Sequence, residues 1–179
     1  MAPGTQPSRL DLRAFIRDVP DFPKPGILFR DITPLLGSGP AFKAACDQLV
    51  ERFRGDRVEA VATIESRGFT FGAVIAYRLG VGVVPVRKAG KLPADTFSAS
   101  YQLEYDEAVL EIHRDAIRPG QRVLVIDDLL ATGGTALATL ELLDRLGGEL
   151  AGLGFLIELL ALGGRERLAG HRVEALLEL

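Results

Sequence analysis

The pattern in this sequence that best suits a chemical role is a pair of acidic residues followed, after two leucines, by a run of small residues. Asp127 and Asp128 follow the apolar residues 123–126 directly, and the loop after them consists of Ala131, Thr132, Gly133, Gly134 and Thr135. Glycines let the backbone approach a ligand closely. A small-residue loop that leads into a helix turns several N–H groups towards one anion. We therefore predict a phosphate site in this loop.

The two acids need a different partner, because carboxylates that touched a phosphate would repel it. Asp127 and Asp128 instead suit hydrogen bonds from sugar hydroxyls, and their charge would favour a cation developing on that sugar. Phosphate donors on one side and carboxylates on the other indicate a ribose 5-phosphate. The alternative is that Gly133-Gly134 is only a tight turn and that the acids cap a neighbouring helix. The order of strand, acids, Thr-Gly-Gly-Thr and helix favours the site.

Two other phosphate-binding patterns fit poorly. Gly90-Lys91 is followed by Leu92, where a P-loop requires Ser or Thr. No G-x-G-x-x-G sequence follows a predicted strand and opens a helix, which disfavours a dinucleotide site.

The surrounding sequence predicts the elements that carry the site. Short apolar runs predict strands at residues 58–64, 81–86, 122–126 and 150–160, and periodic stretches predict helices at residues 38–55, 69–79 and 135–146. Apolar strands separated by helices are typical of a parallel sheet covered on both faces. Residues 99–112 predict a hairpin or mobile flap, and residues 172–179 an edge strand or packing arm.

The N-terminal part is predicted to begin with a helix, because Leu12, Phe15, Ile16 and Val19 recur at helical spacing before a proline-rich segment. We predict one domain over residues 1–179. Its class is α/β, with an open, mainly parallel twisted sheet flanked by helices. A small N-terminal hood (residues 1–35) and a flexible flap (residues 95–113) complete it.

Composition excludes several classes of protein. The 179 residues are 47% hydrophobic, and 21 basic against 24 acidic residues give a net charge of −3, so a mainly disordered chain is excluded. No run approaches the ~20 apolar residues of a membrane span, and residues 1–8 do not resemble a secretory signal. Cys46 is the only cysteine, and the pI near 5.5 argues against a general nucleic-acid binder. We expect a cytoplasmic protein.

Residues 123–135 resemble the phosphoribosyl pyrophosphate (PRPP) motif of the type I phosphoribosyltransferase family. Residues 22–32, 65–69, 87–93 and 100–105 are similar to segments of its adenine-using members, and the resemblance covers nearly the whole chain in order. It implies transfer of the 5-phosphoribosyl group from PRPP to adenine, which gives AMP and pyrophosphate. It also implies Mg²⁺ held mainly by PRPP and water rather than by the protein, and a homodimer.

Basic residues after two predicted strands are expected to hold pyrophosphate. The ends of parallel strands share one sheet edge, so we expect four cations to converge there: Arg67, Arg87, Lys88 and Lys91. A solvated basic loop is the alternative, above all for Lys88 or Lys91 alone. The resemblance implies that Ser66 binds pyrophosphate, that the Ser66–Arg67 peptide can be cis, and that Arg87 serves the partner subunit's site.

The base site is assigned by the resemblance. Phe29 would stack on adenine, the backbone of Leu28 and Arg30 would read its edge, and Leu159 would cover the opposite face. A packing role in the core is the alternative for Phe29 and Leu159.

The flap carries Glu104 and Tyr105. Closure of the flap would exclude water from the reactive sugar carbon, and Glu104 is the candidate for handling the purine's proton. A surface carboxylate beside a strand aromatic is the alternative for Glu104. His113 and His171 are isolated in the sequence and are interpreted as structural, and Cys46 as a core residue.

Three other functions compete with this reading. A sibling transferase would use hypoxanthine, guanine or xanthine, which the Phe29-Arg30-Asp31 segment disfavours. A regulator that senses PRPP and binds nucleic acid would need a basic surface or an added domain. A scaffold with a decayed site would not need Arg67, the paired acids or the glycines.

Overall fold

The computed structural model describes residues 10–102 and 107–179. The chain divides into two compact units, with the boundary between Ala45 and Cys46. Over the described part of the chain, no helix is long and apolar enough to cross a membrane.

An antiparallel hairpin is the main feature of the first unit. Its strands are β1 (Arg17–Pro20) and β2 (Leu28–Asp31), paired so that Val19 lies opposite Phe29. The helix predicted through Val19 is therefore wrong: only Leu12–Phe15 is helical, as a single 3-10 turn. So short a helix is marginal by itself, whereas pairing with β2 satisfies backbone groups of β1.

The helices agree with prediction more closely. In chain order they are α1 (Thr33–Gly37), α2 (Gly39–Phe53), α3 (Gly68–Leu79), α4 (Gly134–Arg145) and α5 (Gly164–Arg167). The three predicted helices correspond to α2, α3 and α4, with ends shifted by two residues at most. The short α1 and α5 were not predicted, because four or five residues are too few to show helical periodicity.

A seven-stranded sheet forms the centre of the second unit. Its strands are β3 (Ala60–Ile64), β4 (Gly82–Lys88), β5 (Thr96–Gln102), β6 (Glu107–His113), β7 (Arg122–Leu130), β8 (Glu149–Glu158) and β9 (Val173–Glu178). They lie in the order β5-β6-β4-β3-β7-β8-β9. The neighbours from β4 to β9 are parallel, and β5 and β6 form an antiparallel hairpin against β4. The predicted mainly parallel sheet, hairpin and edge strand are confirmed.

The sheet owes its stability to strands that are buried on both faces. All five residues of β3 and the last eight of β8 are buried. Helix α3 packs against β3, β4 and β7, and α4 packs against β5, β6 and β8. Each large apolar side chain buried in this way contributes about 1.5–3 kcal/mol.

The parallel strands bring their carboxyl ends to one edge, where a ligand site belongs. Strand β7 continues to Leu130, four residues beyond its predicted end, so Asp127 and Asp128 lie within it. The cause is β8, whose pairing with β7 runs on from Asp127 opposite Phe155 to Leu130 opposite Glu158.

Candidate active site

The paired acids lie at the centre of the carboxyl edge of the sheet. Asp128 is only 5% exposed and forms an ion pair with Arg67, whose Nε lies 2.8 Å from Asp128 Oδ2. The Asp128 backbone N–H donates to Asp127 Oδ1 at 2.8 Å. This arrangement holds both carboxyl groups and one guanidinium in fixed positions.

Helix α3 begins immediately beside Asp127. A Cβ atom built on Gly68, the first residue of α3, would lie 2.8 Å from Asp127 Oδ1 and 3.1 Å from the Ile126 carbonyl oxygen. Glycine is therefore required for this close approach. The partial positive charge at the helix N-terminus favours the ionised form of the neighbouring carboxylate.

Burial acts on the pair in the opposite sense. Burial, reinforced by the charge of Asp128, raises the pKa of Asp127 well above its ordinary value. Burial also raises the pKa of Asp128, against the opposing effect of the Arg67 guanidinium. Two neighbouring carboxylates that are largely shielded from water resist carrying two full negative charges. A cation or hydroxyl donors between them would relieve that cost.

The small-residue loop leads directly into α4. Gly133 adopts a left-handed conformation (φ 80°, ψ 0°) as the N-cap of α4. The five loop residues, together with Asp127 and Phe155, line a cavity of about 50 Å³. The loop therefore borders an opening at the start of a twelve-residue helix, the geometry that suits a bound anion.

A larger cavity of about 330 Å³ lies next to the acids. Its lining includes Ser66, Arg67, Lys88, Asp127 and Asp128. It shares Asp127 and the loop residues Ala131 and Thr135 with the smaller cavity. Acids, loop and two of the predicted cations therefore meet at one place.

Arg87 and Lys91 are held differently. The Arg87 guanidinium donates through Nε to Glu65 Oε2 at 3.1 Å and through Nη1 to the Lys91 carbonyl oxygen at 3.0 Å. Neither residue belongs to the described lining of the larger cavity. Within its own chain, Arg87 is therefore engaged beside the site rather than in it.

Glu65 is a residue of the site to which the sequence alone assigned no role. Its Oε2 accepts from the Lys88 backbone N–H and from Arg87 Nε, both at 3.1 Å, and so joins the end of β3 to the end of β4. Although burial raises the pKa of Glu65, the Lys88 N–H and the Arg87 guanidinium lower it below its ordinary value. An acid between an apolar strand and a cationic turn is the signal that could have identified it.

The turn after β3 contains a cis peptide bond between Glu65 and Ser66. The resemblance implied this bond at Ser66–Arg67, which is wrong by one position. The cis bond lies where the buried strand turns to present Ser66 and Arg67 to the larger cavity.

The residues predicted to bind the base belong to both units of the chain, and each unit is described by itself. In the first, Leu28 is 46% exposed, Phe29 packs edge-on against Phe22 at 5.1 Å, and Arg30 forms an ion pair with Asp18 at 2.5 Å. In the second, the Leu159 backbone N–H donates to the Leu130 carbonyl oxygen at 2.9 Å. Their roles towards a base stay predictions.

The remaining predicted residues lie either away from the site or outside the described residues. Glu104 and Tyr105 lie outside the described residues. His113 Nε2 accepts from the Ala94 backbone N–H at 3.4 Å, which is a structural contact. Cys46 is buried in α2, as expected, and burial raises the pKa of its thiol to about 12.

The described side chains include no group of three or more His, Cys, Asp or Glu placed to hold a metal ion. The carboxylate residues in the described lining of the larger cavity are Glu65, Asp127 and Asp128. Glu65 is already engaged by Arg87 and the Lys88 N–H. One or two carboxylates are enough where substrate phosphates and waters complete the coordination of Mg²⁺. The carboxylates present therefore fit a magnesium ion whose other ligands are phosphate oxygens and waters.

The fold and this edge of the sheet define a class of protein. The family model for the phosphoribosyl transferase domain matches residues 36–168, which is most of the chain. The chain belongs to the phosphoribosyl transferase family.

Within that family, the chain is similar to proteins named adenine phosphoribosyltransferase. It is 57% identical over 171 residues to the one from Chloroflexus aurantiacus, covering 96% of this chain and 99% of that protein. It is 59% identical over 162 residues to the one from Salinispora arenicola, covering 90% and 86%. These relatives confirm the resemblance found in the sequence.

Solved structures agree with the sequence relatives. The adenine phosphoribosyltransferase from Thermoanaerobacter pseudethanolicus has a TM-score of 0.92 at 50% identity, covering 94% of this chain and 98% of that one. The enzyme from Saccharomyces cerevisiae, solved with adenine and an imino-altritol bisphosphate, has a TM-score of 0.87 at 40% identity, covering 93% and 96%. The fold class predicted from the sequence is thereby confirmed.

Proposed function

We propose that this chain transfers the 5-phosphoribosyl group from PRPP to adenine, giving AMP and pyrophosphate for purine salvage. The observation that carries the proposal is the cavity of about 330 Å³ that joins Asp127, Asp128, Arg67 and Lys88 to the small-residue loop. In this reaction the bond from the sugar's C1 to pyrophosphate breaks, and a bond from C1 to an adenine nitrogen forms while that nitrogen loses its proton.

The loop would hold the 5-phosphate. Its members Ala131, Thr132, Gly133, Gly134 and Thr135 supply backbone N–H groups, and the N-terminus of α4 adds its dipole. The 5-phosphate does not react, so its binding energy serves to orient the sugar carbon that does.

The acids would hold the ribose. Asp127 and Asp128 accept hydrogen bonds from the sugar hydroxyls, and their negative charge stabilises the oxocarbenium-like sugar as pyrophosphate leaves. Their raised pKa values support this role, because a developing positive charge nearby relieves the cost of the buried carboxylates.

Cations would receive the departing pyrophosphate. Arg67 and Lys88 supply charge from the cavity lining, with the backbone of Ser66 beside them and Lys91 in the adjacent loop. We include Mg²⁺ as the cofactor, which PRPP and water would mainly hold. When bound, Mg²⁺ supplies further neutralisation of phosphate charge.

For the base, we propose that Phe29 stacks on adenine while the backbone groups of Leu28 and Arg30 read its edge. Stacking accepts any purine, whereas directed donors and acceptors distinguish an amino from an oxo group. The hood (residues 1–35) would supply these residues, and Leu159 would cover the other face. Glu104 and Tyr105 would lie in a flap that excludes water, with Glu104 handling the proton of the purine.

We further propose a homodimer in which Arg87 serves the partner's site. This assignment is supported by the described lining of the larger cavity in the same chain, which does not include Arg87. Mixing the inactive variants Arg87→Ala and Arg67→Ala should restore activity, because one site of each mixed dimer then has both arginines. No recovery in mixed dimers would contradict the shared site.

A competition assay tests the activity. The protein with PRPP and Mg²⁺ is offered adenine, hypoxanthine, guanine and uracil together, and the nucleotide products are separated by chromatography. AMP should predominate. A predominance of another nucleotide would overturn the choice of base, and the absence of any nucleotide would overturn the transferase activity itself.

A further inference from the structure

The short segment of residues 163–168 packs against the loop that lines the smaller cavity. A Cβ atom built on Gly164 would lie 2.2 Å from the Ala131 carbonyl oxygen and 3.1 Å from the Gly133 backbone nitrogen. The contact is reciprocal, because a Cβ on Gly133 would lie 3.0 Å from the Gly164 carbonyl oxygen. Two backbones therefore touch directly at a distance that only glycines permit.

A side chain of the same segment binds the loop. Arg167 donates through Nη1 to the Thr132 carbonyl oxygen at 3.1 Å. In a trans peptide the N–H points opposite to the C=O. Holding the Thr132 carbonyl therefore fixes the direction of the N–H of Gly133, a residue that lines the cavity.

The segment is itself anchored to the sheet. The Arg165 Nε donates to both carboxylate oxygens of Glu158 at 3.0 Å, its Nη2 also contacts that carboxylate, and its Nη1 donates to the Val173 carbonyl oxygen at 2.9 Å. Glu158 is only 2% exposed, and a buried carboxylate is stable only when it is paired and fully hydrogen-bonded. The segment is therefore tied to the last residue of β8 and the first residue of β9.

We propose that Gly164 and Arg167 are positioning residues, which hold residues 131–135 in the shape that binds the 5-phosphate of PRPP. This inference rests on the proposed function of that loop. Gly164 sets how closely the loop lies against the segment, and Arg167 sets the orientation of its central peptide. Neither residue lies in the described lining of the two cavities at the site.

Binding of two fragments of the substrate separates this role from a general loss of structure. Ribose 5-phosphate reports on the loop, and pyrophosphate reports on the cations at the ends of β3 and β4. Both dissociation constants are measured by isothermal titration calorimetry with Mg²⁺ for the wild type, Gly164→Ala, Arg167→Met and Arg167→Lys.

We expect selective weakening of ribose 5-phosphate binding. Arg167→Met should weaken it about five- to tenfold through loss of one hydrogen bond, and Arg167→Lys should restore part of the loss. Gly164→Ala should weaken it about a hundredfold, as displacement of a binding loop by about 1 Å does. Pyrophosphate binding should stay within about twofold of wild type in all three variants.

Arg122→Met is the matched control. Arg122 also donates from its guanidinium to a backbone carbonyl, that of Asp56 at 3.0 Å, but at the amino end of β7. It should lower stability without changing either dissociation constant. Unchanged ribose 5-phosphate affinity in Arg167→Met, or equal weakening of both ligands, overturns the positioning role alone. Failure of the wild type to bind ribose 5-phosphate overturns the proposed loop function, and this inference with it.

Discussion

Replacing Asp127 by asparagine should lower activity and raise stability at the same time. Asparagine has nearly the same shape as aspartate, and its side-chain oxygen can still accept the Asp128 backbone N–H that Asp127 Oδ1 accepts at 2.8 Å. The substitution therefore removes a charge while it preserves the local geometry.

The loss of activity follows from the charge. A unit charge about 4 Å from a full positive charge contributes about 4 kcal/mol at an effective dielectric constant of about 20. A sugar that carries half of that charge in the transition state would lose about 2 kcal/mol, which is about thirtyfold in kcat/KM. Asp127→Ala, which also removes the acceptor oxygen, should lose about a hundredfold.

The gain in stability follows from the raised pKa. Burial raises the pKa of Asp127 in the folded protein above its value in the unfolded chain. The contribution of this group to stability is therefore fully present at a pH below the unfolded-state pKa, and it is lost as the pH rises through the folded-state pKa. The ionised carboxylate of Asp127 therefore costs stability at neutral pH. Asparagine avoids this cost, so Asp127→Asn should melt higher than wild type at pH 7, by a margin that shrinks towards pH 4.

Steady-state kinetics and calorimetric melting between pH 4 and 8 test both effects. Asp56→Asn is the matched control: Asp56 is paired with Arg172 at 2.6 Å, outside the described lining of both cavities at the site. Asp56→Asn should leave kcat/KM unchanged and should not raise Tm, because it only removes an ion pair away from the site. A Tm for Asp127→Asn that is lower than wild type at pH 7, or full activity of this variant, would refute the reasoning.

Three further predictions follow from single contacts. Glu65→Ala should lower kcat/KM about tenfold, because Arg87 and the Lys88 N–H lose their shared acceptor, whereas Glu65→Gln should lower it less than threefold. Equal losses of kcat/KM in steady-state assays of the two variants would contradict this. Phe29→Ala should raise KM for adenine about five- to a hundredfold, as expected for a lost stacking partner, and leave the PRPP affinity measured by calorimetry unchanged; an unchanged KM would remove Phe29 from the base site. The Cys46 thiol, buried and with its pKa raised to about 12, should react with iodoacetamide at pH 8 only after unfolding, and mass spectrometry of the folded protein should detect no adduct.

The second unit was largely predictable from its sequence, because each of its main elements has a pattern that is visible within a short stretch of residues. Continuous apolar runs marked β3, β4, β7 and β8, and the strand–acid–loop–helix order from Val123 to Thr135 marked the site. The first unit was not. The apolar residues from Leu12 to Val19 have helical spacing, but the strand at the end of this stretch forms by pairing with Leu28–Asp31. That partner lies beyond a proline-rich turn, so the periodicity of a short stretch cannot predict the pairing.

By itself, the sequence determined which chemical groups are present and which strand ends carry them, since parallel strands bring their carboxyl ends to one edge whatever their detailed packing. Only the tertiary structure decided how these groups are held. The bond from Arg87 to Glu65 spans 22 positions, and that from Arg167 to Thr132 spans 35. Such contacts depend on which elements lie side by side and at what distance. No short window of sequence encodes that geometry, because it arises from the packing of the whole sheet.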